Sequence, residues 1–287
     1  MKTIRSIIER YSYALMFLAF SSALLLTSCE NTEESLSSEI LPSDIESAQL
    51  QASITSDYEE VDEIMDEALE LNDTSTEARA MESLNGLLTK CAVITHDKPN
   101  KTITVFYAGD CTGPNGRVRK GTIKITYTGP KYLPGSVITT ELVDFSVNEV
   151  QLEGTRTVTN VSESFNDFIS LNTTLTGGKV TWPDGSSATR ENSYTRTWVR
   201  GSRPLNDEYQ IEGSGGGVNR EGVAYSRTIQ ETLVIKRRCR AVGIGVPVSG
   251  TVELTRGDNS IMVDFGDGNC DRKATITKGE DSKEVDL

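Results

Sequence analysis

The sequence predicts a mainly β protein: an antiparallel meander of about a dozen strands, closed as an open barrel or a sandwich, preceded by an acidic α-helical segment. Three observations predict it. From Cys91 onward, apolar residues recur with a period of two. Short runs of Gly, Pro, Asn and Asp separate these segments, and such short turns join antiparallel neighbours. Before Cys91 the period is helical: Ile54, Tyr58, Val61, Met65 and Ala68 follow the spacing of one helix face, with Ile64 and Leu69 beside them.

The opposite face of that helix is Asp57, Glu59, Glu60, Asp62, Glu63, Asp66, Glu67 and Glu70. Such a face could dock a partner; its ordinary place is in solvent, with the apolar side packed on its own domain. A second short helix is expected around Thr76–Leu88. In the β region, Cys91–Thr95 and Thr102–Tyr107 flank the turn Asp97-Lys98-Pro99-Asn100, and Gly121–Tyr127 is the next strand. Gly129-Pro130 and Pro134-Gly135 bracket a loop. Val143, Phe145 and Val147 are odd-numbered while Val150 and Leu152 are even. A two-residue hairpin at Asn148-Glu149 explains that change of phase. Thr176-Gly177-Gly178-Lys179 and Pro183-Asp184-Gly185 read as tight turns. A strand from Tyr209 thins at Gly213–Gly217 and turns at Asn219–Gly222. The clearest alternation follows: Val223, Tyr225, Ile229, Leu233 and Ile235, interrupted by Arg227 and Glu231.

The N-terminus is an address. Lys2, Arg5 and Arg10 precede an uncharged apolar run, Tyr11–Leu26, which is a secretory signal and marginal as a spanning helix. Leu26-Thr27-Ser28-Cys29 resembles the lipobox of bacterial lipoproteins. The resemblance implies cleavage before Cys29 and thioether lipidation and N-acylation of that residue, including palmitate-type chains. Several such chains hold a protein on a membrane stably. Glu30-Asn31-Thr32-Glu33-Glu34 partly resembles the surface-export signal of Bacteroidota lipoproteins; a solvated acidic tether is the other reading. The expected organisation is signal peptide 1–28, acidic flexible tether 29–53, acidic helical segment 54–89 and antiparallel β domain 90–287.

Charge is unevenly placed. Of the net −13, residues 30–78 hold 16 Asp/Glu and no Lys or Arg, which leaves residues 79–287 at +1. A near-neutral body gives no basis for binding nucleic acid. Five cysteines are present; with Cys29 lipidated, Cys91, Cys111, Cys239 and Cys270 read as disulfides of an exported chain, with three possible connectivities. A weak internal repeat favours one of them. Ile103–Cys111 resembles Ile261–Cys270, each with a cysteine upstream, so Cys91–Cys111 and Cys239–Cys270 would be equivalent staples, each tying one hairpin. The repeat, the lipobox and the segments Gly121–Gly129, Gly154–Asn160 and Gly222–Tyr225 are together similar to a group of uncharacterised Bacteroidota lipoproteins. That resemblance implies a shared fold and carries no activity.

Catalytic chemistry finds little support. His96 is the only histidine and lies beside a turn, and no G-x-S-x-G motif occurs. The cysteines form no CxxC pair for zinc. Asp264, Asp267, Asn269 and Asp271 are a weak calcium candidate whose residue types are equally those of β-turns. Lys236-Arg237-Arg238-Cys239-Arg240 could face lipid phosphates, face the acidic helix, or end a strand in solvent. Trp182, Trp198, Tyr194 and Tyr209 could form a sugar-stacking platform or pack in the core. The expectation is therefore a non-enzyme with no cofactor, anchored to the outer membrane through Cys29 and exposed at the cell surface, with a glycan or protein ligand. The alternative is an envelope-internal, lipid-handling or assembly lipoprotein with a β-barrel cavity.

Overall fold

The structure is a computed structural model that describes residues 39–72, 91–113, 115–164 and 168–287, all within one compact unit, Ser38–Leu287. Cys29 and the second helix expected at Thr76–Leu88 lie outside the described residues. The architecture is mainly β, as the periodicity predicts. Among the described residues, one sheet of thirteen antiparallel strands runs in strict chain order and is not closed: β1 (Ala92–Asp97), β2 (Thr102–Thr112), β3 (Val118–Tyr127), β4 (Val137–Val147), β5 (Val150–Asn160), β6 (Phe168–Thr181), β7 (Ser187–Val199), β8 (Glu208–Val218), β9 (Ala224–Lys236), β10 (Ser249–Arg256), β11 (Asn259–Asp267), β12 (Lys273–Lys278) and β13 (Asp281–Asp286). The answer to the barrel-or-sandwich question is a single curled sheet.

Helix α1 (Pro42–Asn72) lies against the inner face of this sheet. It begins twelve residues before Ile54, so residues 42–53, expected as flexible tether, are helical. The start is locally encoded. Pro42 occupies the first helical position, where its fixed φ suits and no N–H is missed. The Asp44 carboxylate accepts from the Leu41 N–H at 3.0 Å, half of a capping box. Ile54, Tyr58, Val61, Met65 and Ala68 are buried as their spacing predicts. The acidic face is buried too: Asp57, Glu59, Glu60, Asp62, Glu63, Asp66 and Glu67 are all below a tenth exposed. The expected solvated outer face is thus corrected to an enclosed one.

The sheet curls because its strands are bulged. Register shifts occur at Gly121, Gly154, Gly213 and Gly250, each with positive φ. At Gly121 a Cβ would lie 2.1 Å from the Asp144 carbonyl oxygen, so only glycine lets β3 and β4 pass. Thr176–Lys179, expected as a turn, is instead a bulge inside β6, where pairing steps from Leu175↔Asn192 to Gly178↔Arg190. The turn at Asn148-Glu149 forms as predicted, with φ of 50° and 65°.

Strand direction defines two rims. One carries the β3–β4, β5–β6, β7–β8 and β9–β10 connections. The other carries the opposite turns. Both disulfides form with the pairing that the repeat favours, Cys91–Cys111 and Cys239–Cys270. Each bond ties the ends of one hairpin: Cys91 immediately precedes β1 and Cys111 lies at the end of β2, while Cys239, in a four-residue helix α2 (Arg237–Arg240), lies upstream of β10 and Cys270 follows β11.

Candidate functional site

The distinctive chemistry is inside. β7 points Ala188, Arg190, Asn192, Tyr194, Arg196 and Trp198 inward, alternating with exposed or half-exposed residues. Arg119 from β3, Arg156 from β5 and Arg227 from β9 do the same, and all are buried. The period-two rule thus holds for placement. The inward residues are cationic because their counter-surface is the acidic helix.

α1 meets cations at its start and again from Asp57 onward. Asp44 accepts from Arg256 at 3.0 Å and Lys278 at 3.1 Å, both near the turns of β10–β11 and β12–β13. Asp57 pairs with Arg117, and Glu60 lies 2.7 Å from Arg119 Nε and 3.0 Å from Arg117 Nε. Glu59 takes a bidentate fork from Arg196 at 3.0 and 2.8 Å, and Asp62 takes another from Arg156 at 2.5 Å twice. Arg196 also bonds Asp62. Asp66 accepts from Lys131 and from the Tyr209 hydroxyl. Arg237 bonds Glu63 and, at 2.9 Å, Glu70.

The electrostatics follow from this pairing. Burial alone would raise the Asp62 carboxyl, but the Arg156 and Arg196 guanidiniums outweigh it and hold the group below its usual range. Asp57 keeps less compensation: burial pushes it up to about 6 against the pull of Arg117. Burial raises Glu63 likewise, with Arg237 and Arg240 only partly opposing it. Two buried arginines, Arg190 and Arg227, have no carboxylate partner among the described residues. They converge on Tyr194, whose hydroxyl accepts from Arg227 Nη1 at 2.7 Å and Arg190 Nη2 at 3.2 Å. Burial would raise that phenol, yet the two guanidiniums bring it down to about 8.

This interior clasps the helix to the sheet through ion pairs. Apart from Arg190 and Arg227 on Tyr194, these buried arginines meet carboxylates of the helix, and the gaps beside Arg227 and between Asp66 and Arg196 are each about 10 Å³, the size of one water. The basic run 236–240 divides its options: Arg237 and Arg240 face the acidic helix, while Arg238 is exposed. Tyr194, Trp198 and Tyr209 are core residues, with Trp198 and Tyr209 stacked at 6.3 Å between ring centres. Trp182 lies at the β6–β7 hairpin, away from them, with Arg220 over its ring. The aromatic set therefore forms no common platform. His96 bonds the Tyr127 hydroxyl at 2.6 Å.

Asp264, Asp267, Asn269 and Asp271 do line one outward hollow of about 200 Å³, with Lys273 and Glu284. The Asp264 and Asp271 carboxylates accept from the backbone N–H of Gly266 and Lys273, which is turn chemistry. No group of acidic, His or Cys side chains suited to a metal occurs among the described residues. The inward arginines were the signal that sequence reading passed over: Arg190, Tyr194 and Arg196 share one strand face by simple parity. No helix among the described residues is long and apolar enough to cross a membrane. Compared with known proteins, the chain matches no family model, no curated protein and no solved structure.

Proposed function

We propose that this chain is a lipid-anchored outer-membrane protein, held by acyl chains on Cys29 and displayed at the cell surface, and that its β body is a non-enzymatic binding or structural module. The observation that carries the reading is the position of α1. The first described element after the lipobox cysteine, α1, is enclosed by the sheet, so the chain that follows Cys29 leads directly into the core of the β body. The likeness to Bacteroidota lipoproteins belongs to the same proposal. The lipid-handling alternative needs an open cavity, and the space it would use is filled by α1. It therefore requires the helix to leave at the cost of its buried ion pairs.

Metabolic labelling with an alkyne fatty acid tests the anchor. Label is expected on the chain, with complete loss in Cys29→Ala. Retained label in that variant, or none in the unaltered chain, refutes it. Protease shaving of intact cells tests display: residues 91–287 are expected to be lost while periplasmic controls survive.

A further inference from the structure

The rim where α1 ends is unlike the opposite rim. Three of its neighbouring connections each lift bulky apolar side chains into solvent. Leu133 is 42% exposed on the β3–β4 loop, Val161 and Phe168 are 44% and 62% exposed where β5 gives way to β6, and Leu205 is 40% exposed on the β7–β8 loop. These connections touch. Gly135 N–H donates to Asn160 O at 2.9 Å, Val161 N–H to Ser170 O at 2.9 Å, and Phe168 pairs with Val199. The same arc is cationic. Arg203 and Arg238 are exposed, and Arg200 lies over the rings of Tyr132 and Trp198 at 5.7 and 5.3 Å. Its solvent-facing carboxylates among the described residues are Glu163 and the half-exposed Glu208. Beyond this arc the same rim also carries exposed Asp97 and Asp267 and half-exposed Asp271, and at the opposite rim the turns carry Glu149, Asp184, Glu221, Asp258 and Glu280 beside exposed Arg220.

We infer that this rim docks on an anionic lipid bilayer. Apolar side chains projecting from strand ends (Val161, Phe168) and from the loops that carry Leu133 and Leu205 can enter the acyl boundary, where a flat protein partner would leave the space between them empty. Arginines beside them pair with lipid phosphates, and aromatic rings at the base suit the interface. Helix α1 spans about 46 Å from its start to this rim. Residues 30–41, the stretch between Cys29 and α1, reach at most about 40 Å. A molecule anchored at Cys29 with the start of α1 toward its membrane therefore presents the rim to an opposed bilayer. This deepens the proposed binding module by naming its partner, and it can fail while the anchor stands.

The test is cosedimentation of the unacylated mature chain, residues 29–287 with Cys29→Ser, with vesicles of phosphatidylcholine alone or mixed with phosphatidylglycerol. Binding is expected only to the mixed vesicles. It should weaken at least about tenfold in Leu133→Ser/Phe168→Ser and in Arg203→Glu/Arg238→Glu, and remain in Val223→Ser at the opposite rim. Circular dichroism checks that the variants keep the fold. If one does not, the unaltered chain still decides, because its binding must fall about tenfold as salt rises from about 0.05 to about 0.5 M. No binding, binding to phosphatidylcholine alone, or binding unchanged by both double variants or by salt overturns the inference.

Discussion

Asp62 shows what a buried carboxylate costs and what holds it in place. Two guanidiniums, Arg156 and Arg196, reach it, and neither has another carboxylate free of competition: Glu59 lies 4.0 Å from Arg156 and is already forked by Arg196. Removing one member of such a set strands the others in a medium of low polarity. Asp62→Leu is therefore expected to destabilise the protein by about 3–5 kcal/mol, read as a lower urea midpoint. Replacing Asp62 and Arg156 together by Leu and Met should recover much of the loss. Tyr194 gives a second test. Its folded pKa of about 8 lies below the ordinary 10, so its ionised form favours the native state. Stability from this group is full above pH 10 and is lost as pH falls through 8. Tyrosinate absorbance should show one group titrating near 8, and Tyr194→Phe should abolish that step. A titration with no tyrosine ionising below about 9.5 refutes the assignment. Asp57 runs the other way. Its pKa is raised to about 6 from 3.8, so it contributes stability as pH falls from 6 toward 4, against the loss from Asp62. Asp57→Asn should remove that gain and leave a steeper acid fall.

At the scale of elements, the strands were legible and their contents were not. Parity at Val147 and Val150 located the Asn148-Glu149 hairpin to the residue, because a turn of two residues must flip the phase. Glu149 sits there at φ 65° without a glycine's freedom. Glu149→Gly is expected to raise stability by about 0.5–1 kcal/mol, seen as a higher thermal midpoint. Gly177-Gly178 misled because a glycine pair marks a bulge as readily as a turn. Only the pairing of β6 with β7 on both sides of it decides. The helix was half legible. Its apolar stripe was plain, and Pro42 with Asp44 marked its start. Its acidic face reads as solvent-facing because nothing local reveals that the countercharges stand far downstream on strands and their connections, from Arg117 opposite Glu60 to Lys278 opposite Asp44, the latter 234 residues away. Arg156, Arg196 and Arg227 interrupt apolar alternation and look like strand ends or outer faces until the helix is placed against them.

For the whole molecule, an uneven charge map becomes a statement about cooperativity. Residues 42–72 carry ten carboxylates and no cation, so the isolated peptide is expected to be largely unstructured at neutral pH by circular dichroism, although it forms a helix of 31 residues in the fold. Helical and tertiary signals should then disappear together in one urea transition. A separate early loss of helix would show that the sheet stands without it. Cys239–Cys270 fixes the connection that carries Arg237 and Arg240 against Glu63.

The threading of α1 also sets the mechanics of attachment. Under the proposed attachment through Cys29, a pull on the protein would enter the body through Pro42, at the start of the helix. Along the helix stand Asp44 with Lys278, Glu60 with Arg119, Asp62 with Arg156 and Glu70 with Arg237, from one rim to the other. Sliding the helix by one turn would misalign all of them at once, so the load is shared in shear rather than taken bond by bond. A helix so held resists being drawn along its axis as a bolt resists being drawn through its housing, and a load on it is spread over most of the sheet.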